Sequence, residues 1–262
     1  MQKKLSISVG EQELFASQLR EFSYLMQIYR AAIKEVQTKL EILDDAFNVR
    51  YEHNPIHHIE ARLKTPMSIA QKLQRKGLPL SVEMLENELH DIAGIRVICN
   101  YVEDVERVAS LLLAQDDITL IRRKDYISEP KDNGYRSLHL VVSVPIFLTG
   151  GKRETQVEVQ IRTIAMDMWA SLEHRLHYKS RGTTSEEMQQ RLRACSDALS
   201  TIDMEMQRIY ESTFVNEKDG EKKSQEESTH GEESLFYFVE ITRCPGRAWR
   251  SRPFRNRRCS RR

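Results

Sequence analysis

Between Ile92 and Thr163 the hydrophobic period of this chain drops from that of a helix to that of a strand, and it lengthens again on either side. Val157-Glu158-Val159-Gln160-Ile161-Arg162-Thr163 alternates strictly, with apolar residues at 157, 159 and 161 and polar ones at 158, 160 and 162. That period of two belongs to a strand with one face buried. Ile92–Tyr101 is apolar and β-branched, and Ile118–Tyr126 and Arg136–Pro145 carry the same signature. With Thr155–Thr163 they predict four strands, with an amphipathic helix over Val102–Gln115 between the first two. Such a chain must build a layer fold of the α/β or α+β class, a mixed sheet of about five strands flanked by helices.

The flanks are helical in pattern. From Glu11 to about Phe47, residues such as Leu14, Leu25, Ile28, Ile33, Val36 and Leu40 recur at helical spacing, predicting one long helix or two shorter ones. Asn54-Pro55 interrupts them, and a further helix is expected over Ile56–Leu63. Thr65-Pro66 then opens another, since threonine caps a helix and proline fits its first position, and Lys76-Gly77 closes it. Ile164–Lys179 and Glu186–Tyr210 read as helices. The expected organisation is a folded domain over 1–215, then a polar spacer and arginine-rich tail over 216–262 that lacks a core-forming pattern and is expected to be disordered.

Charge narrows the function. The last 20 residues hold nine arginines and no acid, so the first 242 carry 31 basic against 39 acidic side chains, a net of −8. An anion site in that acidic body needs a local cluster of cations. No apolar run approaches the roughly 20 residues that span a bilayer, and the N-terminus lacks a secretory apolar core, so a cytoplasmic protein is expected. Four scattered cysteines show no metal or disulfide spacing, and Cys99 reads as a small core residue.

Four segments can carry chemistry. In Arg62-Leu-Lys64-Thr65-Pro66-Met-Ser68, an extended chain before Thr65 puts Arg62 and Lys64 on one side, beside a helix start that favours anions. Lys72 and Arg75 share a helix face with Ser68, an arrangement that suits a triphosphate or a plain solvated face. Asp91-Ile-Ala-Gly94-Ile-Arg96 places an acid at the start of a buried strand, suited to Mg²⁺ or to capping a turn. Arg96 in that apolar strand needs a partner, either a ligand or a structural carboxylate. In Lys131-Asp-Asn-Gly134-Tyr135-Arg-Ser-Leu-His139, the Asn-Gly turn presents Tyr135, which can stack on a base or pack against the fold, with Lys131 and His139 to flank phosphates. In the fourth, Glu158 is a second metal ligand or a base if it stands close to Asp91, and otherwise part of a solvated face.

Two histidine readings compete with these. His53, His57, His58 and His90-Asp91 could supply the metal set of an HD-type phosphohydrolase, but His90-Asp91 leads into a β-branched strand where that fold needs helices. His174 and His177, three apart on one helix, could chelate zinc, or be a packed or solvated pair.

The series ARLKTPMSIAQKLQRKG, HDIAGIRVIC, KDYISEPKDNGYRSLHL and VEVQIRTIAMDMWASLEHRLHYK, in that order, resembles the synthetase domain of the RelA/SpoT alarmone family from about Asn54 to Lys179. The chain resembles the small, single-domain branch, without the hydrolase and ribosome-sensing domains of the long enzymes, and leans towards its RelP-like rather than its RelQ-like group. The resemblance implies a nucleotidyltransferase-like fold and transfer of the β,γ-pyrophosphate of ATP to the 3′-hydroxyl of GTP or GDP, and possibly GMP, with Mg²⁺. It implies that Arg62 and Arg96 sandwich adenine and that Lys64, Ser68 and Lys72, supported by Arg75, hold the ATP phosphates. Asp91 and Glu158 would bind the metal, with Glu158 drawing the proton from the acceptor hydroxyl. Tyr135 would stack on guanine, Lys131 and His139 would lie near the acceptor phosphates, and Gln160 would line the acceptor site. The resemblance also implies a homotetramer, in which Glu186–Tyr210 has suitable amphipathic character. Alarmone regulation of the RelQ-like kind does not carry over, because Glu41 and Glu60 stand where an anion would be unwelcome.

Two other functions remain open at this point. Another nucleotidyltransferase would share the paired carboxylates without needing the basic helix start and the tyrosine turn. A non-catalytic RNA-binding regulator would rest on the arginine tail, with Trp249 and Phe254 available for stacking, or that tail is an incidental extension.

Overall fold

The computed structural model describes residues 9–51, 53–179 and 185–226. The chain divides into two units, Met1–Asn216 and Glu217–Arg262, and the fold below is that of the first. Its elements run α1 (Val9–Tyr51), β1 (Ile56–Leu63), α2 (Pro66–Lys76), α3 (Val82–Glu88), β2 (Ala93–Cys99), α4 (Val102–Leu113), β3 (Thr119–Asp125), β4 (Leu138–Leu148), β5 (Gly151–Thr163), α5 (Ile164–Lys179) and α6 (Glu186–Glu226). The five strands form one mixed sheet in the order β1-β2-β5-β4-β3. β2 and β5 pair in parallel at the centre and the other neighbours are antiparallel.

One face of this sheet is the core. Ala93, Ile95 and Val97 of β2, Leu140 and Val142 of β4, and Val157, Val159 and Ile161 of β5 are buried on it. α1 covers that face with Leu25, Ile28, Tyr29, Ala32, Ile33, Val36 and Leu40, and α4 adds Val105, Val108, Ala109 and Leu112. The spacing of three and four residues along each helix is what turns a single apolar stripe towards the sheet. Burying each large aliphatic side chain contributes roughly 1.5–3 kcal/mol, so this layer supplies most of the driving force. Cys99 is a core residue here, fully buried.

Residues 56–63, expected to be a helix, form strand β1. A register shift between Ile56 and His58 marks a bulge. It brings Ile56 and Ile59, three apart, towards the same side, which imitates helical spacing. The short helix α3 was not anticipated; Ser81 caps it by accepting from the Met84 N–H at 3.3 Å. The N-terminal pattern resolves as one helix, and α6 runs beyond Tyr210 into the segment expected to be a spacer. Glutamate, lysine and glutamine are good helix formers, which the polarity of that segment conceals. The arginine tail and the side chain of His177 lie outside the described residues. No described helix is long and apolar enough to cross a membrane.

Candidate active site

The other face of the sheet is polar. The residues that alternate with those core positions are Gly94 and Arg96 on β2, Glu158, Gln160 and Arg162 on β5, and His139 on β4. Glu60 pairs with Arg96 in the strand register, and Arg62 with Gly94. Three adjoining hollows lie over this face. The first is lined by Glu60, Arg62, Lys64, Asp91, Gly94, Arg96, Glu158 and Gln160. The second shares Asp91 and Glu158 with it and adds Lys72, Arg122, Lys124, Tyr126, Lys131 and His139. The third shares Glu60, Arg62, Arg96 and Gln160 with the first and adds Tyr135, Arg162 and Asp167. Asp91 and Glu158 therefore sit at the junction of an arginine-rich half and a lysine-rich half.

α2 builds one wall. Thr65 accepts from the Ser68 N–H at 3.3 Å, Pro66 opens the helix, and Gly77 closes it at φ 69°, the left-handed conformation glycine tolerates. This registers Lys72 so that its Nζ and that of Lys64 each donate to Asp91 Oδ2 at 2.6 Å. Asp91 Oδ1 is buried without a hydrogen-bond partner. Burial pushes the Asp91 carboxyl up, but the two lysines outweigh it and hold the group below its usual range. Ser68 and Arg75 line none of the three hollows: the Ser68 hydroxyl is 2.9 Å from that of Thr65, and Arg75 donates to the Gln71 carbonyl at 3.4 Å.

Glu158 is held from two sides. Gln160 Nε2 donates to its Oε2 at 2.9 Å, and His139 Nδ1 stands 3.5 Å from its Oε1. Burial raises this carboxyl and nearby Asp91 adds to that, yet His139 and Gln160 prevail and keep it below the ordinary glutamate range. His139 Nε2 in turn meets the Tyr135 hydroxyl at 2.8 Å. Both carboxylates are therefore charged at neutral pH and face a shared space.

Arg96 finds its partners in structural carboxylates, Glu60 at 2.9 Å and Asp167 at 3.6 Å, and it also lines the first and third hollows with Arg62. Gly94, between them on the same face, has no side chain to fill the space. The Tyr135 turn is clamped by α6: Ser196 Oγ donates to the Gly134 carbonyl at 2.5 Å and Arg193 to that of Asp132 at 3.0 Å. Gly134 has φ 91°, and a Cβ there would lie 2.8 Å from Ser196 Cβ. Lys131 Nζ lies 4.6 Å from the Tyr126 ring centroid and 4.8 Å from that of Tyr135.

The sequence reading missed Arg122, Lys124, Arg162 and Asp167 as lining residues. Arg122 and Lys124 do carry a signal, since they are two apart on β3 opposite Val141 and His139. The histidine alternatives fare differently. His53 binds Asp104 at 3.0 Å, His90 binds Gln156 at 2.7 Å, and among the described residues no group of three or more His, Cys, Asp or Glu could hold a metal ion.

Residues 61–183 match the family described as the region found in RelA / SpoT proteins. The GTP pyrophosphokinase YwaC of Bacillus subtilis is 35% identical over 202 residues, covering 77% of this chain and 96% of that protein. The GTP pyrophosphokinase YjbM of the same organism is 40% identical over 182 residues, covering 69% and 84%. Among solved structures, the small alarmone synthetase 1 from Bacillus subtilis bound to its product pppGpp aligns with TM-score 0.68 and 38% identity over 74% of this chain and 98% of that one. Small alarmone synthetase 2 aligns with TM-score 0.67 and 36% identity, over 73% and 99%. With a relative this similar matched over almost its whole length, and with the polar sheet face arranged as described, the chain belongs to the RelA/SpoT family, on its small alarmone synthetase branch.

Proposed function

We propose that the junction of the first and second hollows is where a donor and an acceptor nucleotide meet, and that Asp91 and Glu158 serve both. The activity is that of a GTP pyrophosphokinase: the acceptor 3′-oxygen attacks the β-phosphorus of ATP, the bond to the α-phosphate oxygen breaks, and AMP leaves as (p)ppGpp forms. The observation that carries the residue assignment is that two ionised carboxylates share one space between a cluster of arginines and a cluster of lysines.

On the donor side, Arg62 and Arg96 offer guanidinium planes to adenine, and Lys64 and Lys72 offer ammonium groups to the phosphates, with Ser68 and Arg75 in support from α2. On the acceptor side, Tyr135 receives guanine, a contact of roughly 1–3 kcal/mol in comparable stacks. Lys131 and His139 neutralise phosphate charge, and Gln160 lines the ribose end. Glu158 takes the proton of the attacking hydroxyl. Its low pKa makes it a weak base in the ground state, so transfer follows bond formation to phosphorus, as suits a loose displacement dominated by positioning.

The donor set fits Mg²⁺. Asp91 Oδ1 is an orphaned buried oxygen, Glu158 is charged and lines the same space, and hard oxygen ligands are what this ion takes. Asp91 and Glu158 would hold it together with substrate phosphates, and it would neutralise charge that develops on the polyphosphate. A homotetramer and a cytoplasmic setting complete the reading. The test is to incubate the protein with ATP, Mg²⁺ and GTP, GDP or GMP in turn. AMP and a 3′-pyrophosphorylated product are expected together; AMP without that product would overturn the assignment of the acceptor half.

A further inference from the structure

We propose that Arg162 is a positioning residue for the acceptor half of the site, its buried guanidinium fixing which end of the Gln160 amide faces Glu158 and supporting the Tyr135 ring. This rests on the reading of Glu158 and Tyr135 given above.

The Arg162 side chain is 2% exposed yet lies on the polar face of β5. Its Nη2 donates to Gln160 Oε1 at 2.8 Å. Arginine carries only donors, so the Gln160 atom it meets must be the oxygen, and the amide nitrogen is left for Glu158 Oε2 at 2.9 Å. The order Arg162, Gln160, Glu158 is thus a one-way relay of donors that ends on the carboxylate. Without Arg162 the long Gln160 side chain keeps a single oriented partner and gains rotamers. The same guanidinium carbon lies 5.7 Å from the Tyr135 ring centroid, within reach of a cation–π contact. Tyr135 closes the circuit through its hydroxyl to His139, which faces Glu158.

Stability does not account for this residue. Its Nε is buried with no hydrogen-bond partner, and its nearest carboxylate, Asp167, stands 3.5 Å from Nη1 while also serving Arg96. Burial, with Arg96 nearby, pushes the guanidinium below its usual range. A buried charge paired this incompletely returns little net stability, because desolvation offsets most of the attraction. Its place among the groups assigned to the acceptor is that of a residue which breaks local rules for function.

The test compares Arg162→Met and Arg162→Lys in the full chain, varying GTP at saturating ATP and ATP at saturating GTP, with thermal melting alongside. Arg162→Met is expected to lower kcat/KM for GTP roughly 10- to 100-fold, while KM for ATP stays within about twofold. Arg162→Lys, which restores a donor but not the planar fork, should fall between Met and the parent. In a Gln160→Leu background, Arg162→Met should lower kcat much less than it does alone, because its partner is already gone. A KM for ATP that rises as much as that for GTP, additive effects with Gln160→Leu, or a Lys variant no better than Met would overturn the proposal. Should the Met variant fail to fold, the Lys variant alone decides it, through a defect confined to GTP or one shared with ATP. Glu158→Gln separates the two layers. If that variant keeps its turnover, the reading of the site fails; if it is inactive and Arg162→Met leaves GTP kinetics unchanged, only this inference fails.

Discussion

The two faces of one sheet follow different rules, and β5 shows it residue by residue. Val157, Val159 and Ile161 are fully buried under α1 and α4, where any close-packed apolar set of the same volume would serve. Glu158, Gln160 and Arg162 point the other way into a web of ion pairs and hydrogen bonds. Ion pairs that are half-buried, such as Lys64–Asp91 and Arg96–Glu60, return little net stability, because desolvation offsets most of the attraction. The core face is therefore explained by the free energy of folding and the polar face is not. The polar face makes sense only as a surface shaped around highly charged ligands.

The largest effect should follow a change that leaves the core face untouched. Glu158→Gln keeps size and hydrogen-bonding capacity but removes the charge, and synthesis should fall by about 10³-fold or more. The fold should stay intact, with only a small drop in melting temperature from the loss of a carboxylate that the fold holds charged. Residual turnover within tenfold of the parent would break the assigned role and with it the contrast between the faces. Gly94→Val comes next. A Cβ there meets only the Arg62 carbonyl at 3.6 Å, ordinary contact, and valine suits a strand, so the fold should tolerate it. Its side chain projects between Arg62 and Arg96, and KM for ATP should rise roughly 100-fold with little change in KM for GTP. A rise in the GTP value instead would move the adenine elsewhere.

How much of this was legible before the structure depends on how local the cause is. The alternation of β5 and the capped start of α2 are written in adjacent residues, and both elements form where their patterns place them. β1 was misread because its bulge puts Ile56 and Ile59 in phase at a spacing of three, which only the pairing with β2 reveals. The grouping of Asp91 with Glu158 depends on a parallel pairing of residues 64 apart in the chain, with Gly94 opposite Glu158. No local pattern specifies that pairing. Arg162 looked like the solvated third of an alternating run until Gln160, Tyr135 and Asp167 enclosed it, and the hold of Ser196 on the Gly134 turn has no counterpart in local spacing.

A core-face substitution should produce the reverse of the first two effects. Leu140 lies one residue from His139 on β4, fully buried where His139 lines the site. Leu140→Ala should cost about 2–5 kcal/mol of stability, while kcat at a temperature where the variant is folded changes less than threefold. A large drop in kcat without a drop in melting temperature would show that the two faces are not separable.

The smallest effect sharpens the contrast between carboxylates. Asp91 and Glu158 are held below their ordinary ranges, so each adds stability above its ordinary value that is lost as pH falls through the depressed one. Asp203, outside the three hollows, is the opposite case. Burial raises its pKa, and the hydrogen bond it accepts from the Thr163 hydroxyl only partly counters this. A carboxyl with a raised folded-state pKa contributes stability below its unfolded value, and that contribution is lost as pH rises through the raised one. Asp203→Asn keeps an oxygen for Thr163 and removes the charge. At neutral pH the variant should therefore melt higher than the parent, by on the order of 2 °C, and the gap should close as pH falls below the ordinary aspartate value near 3.8. Its kinetics should match the parent's. A variant that melts lower at neutral pH would mean that the ionised Asp203–Thr163 bond outweighs burial, and Asp203 would then join the carboxylates that the fold holds charged.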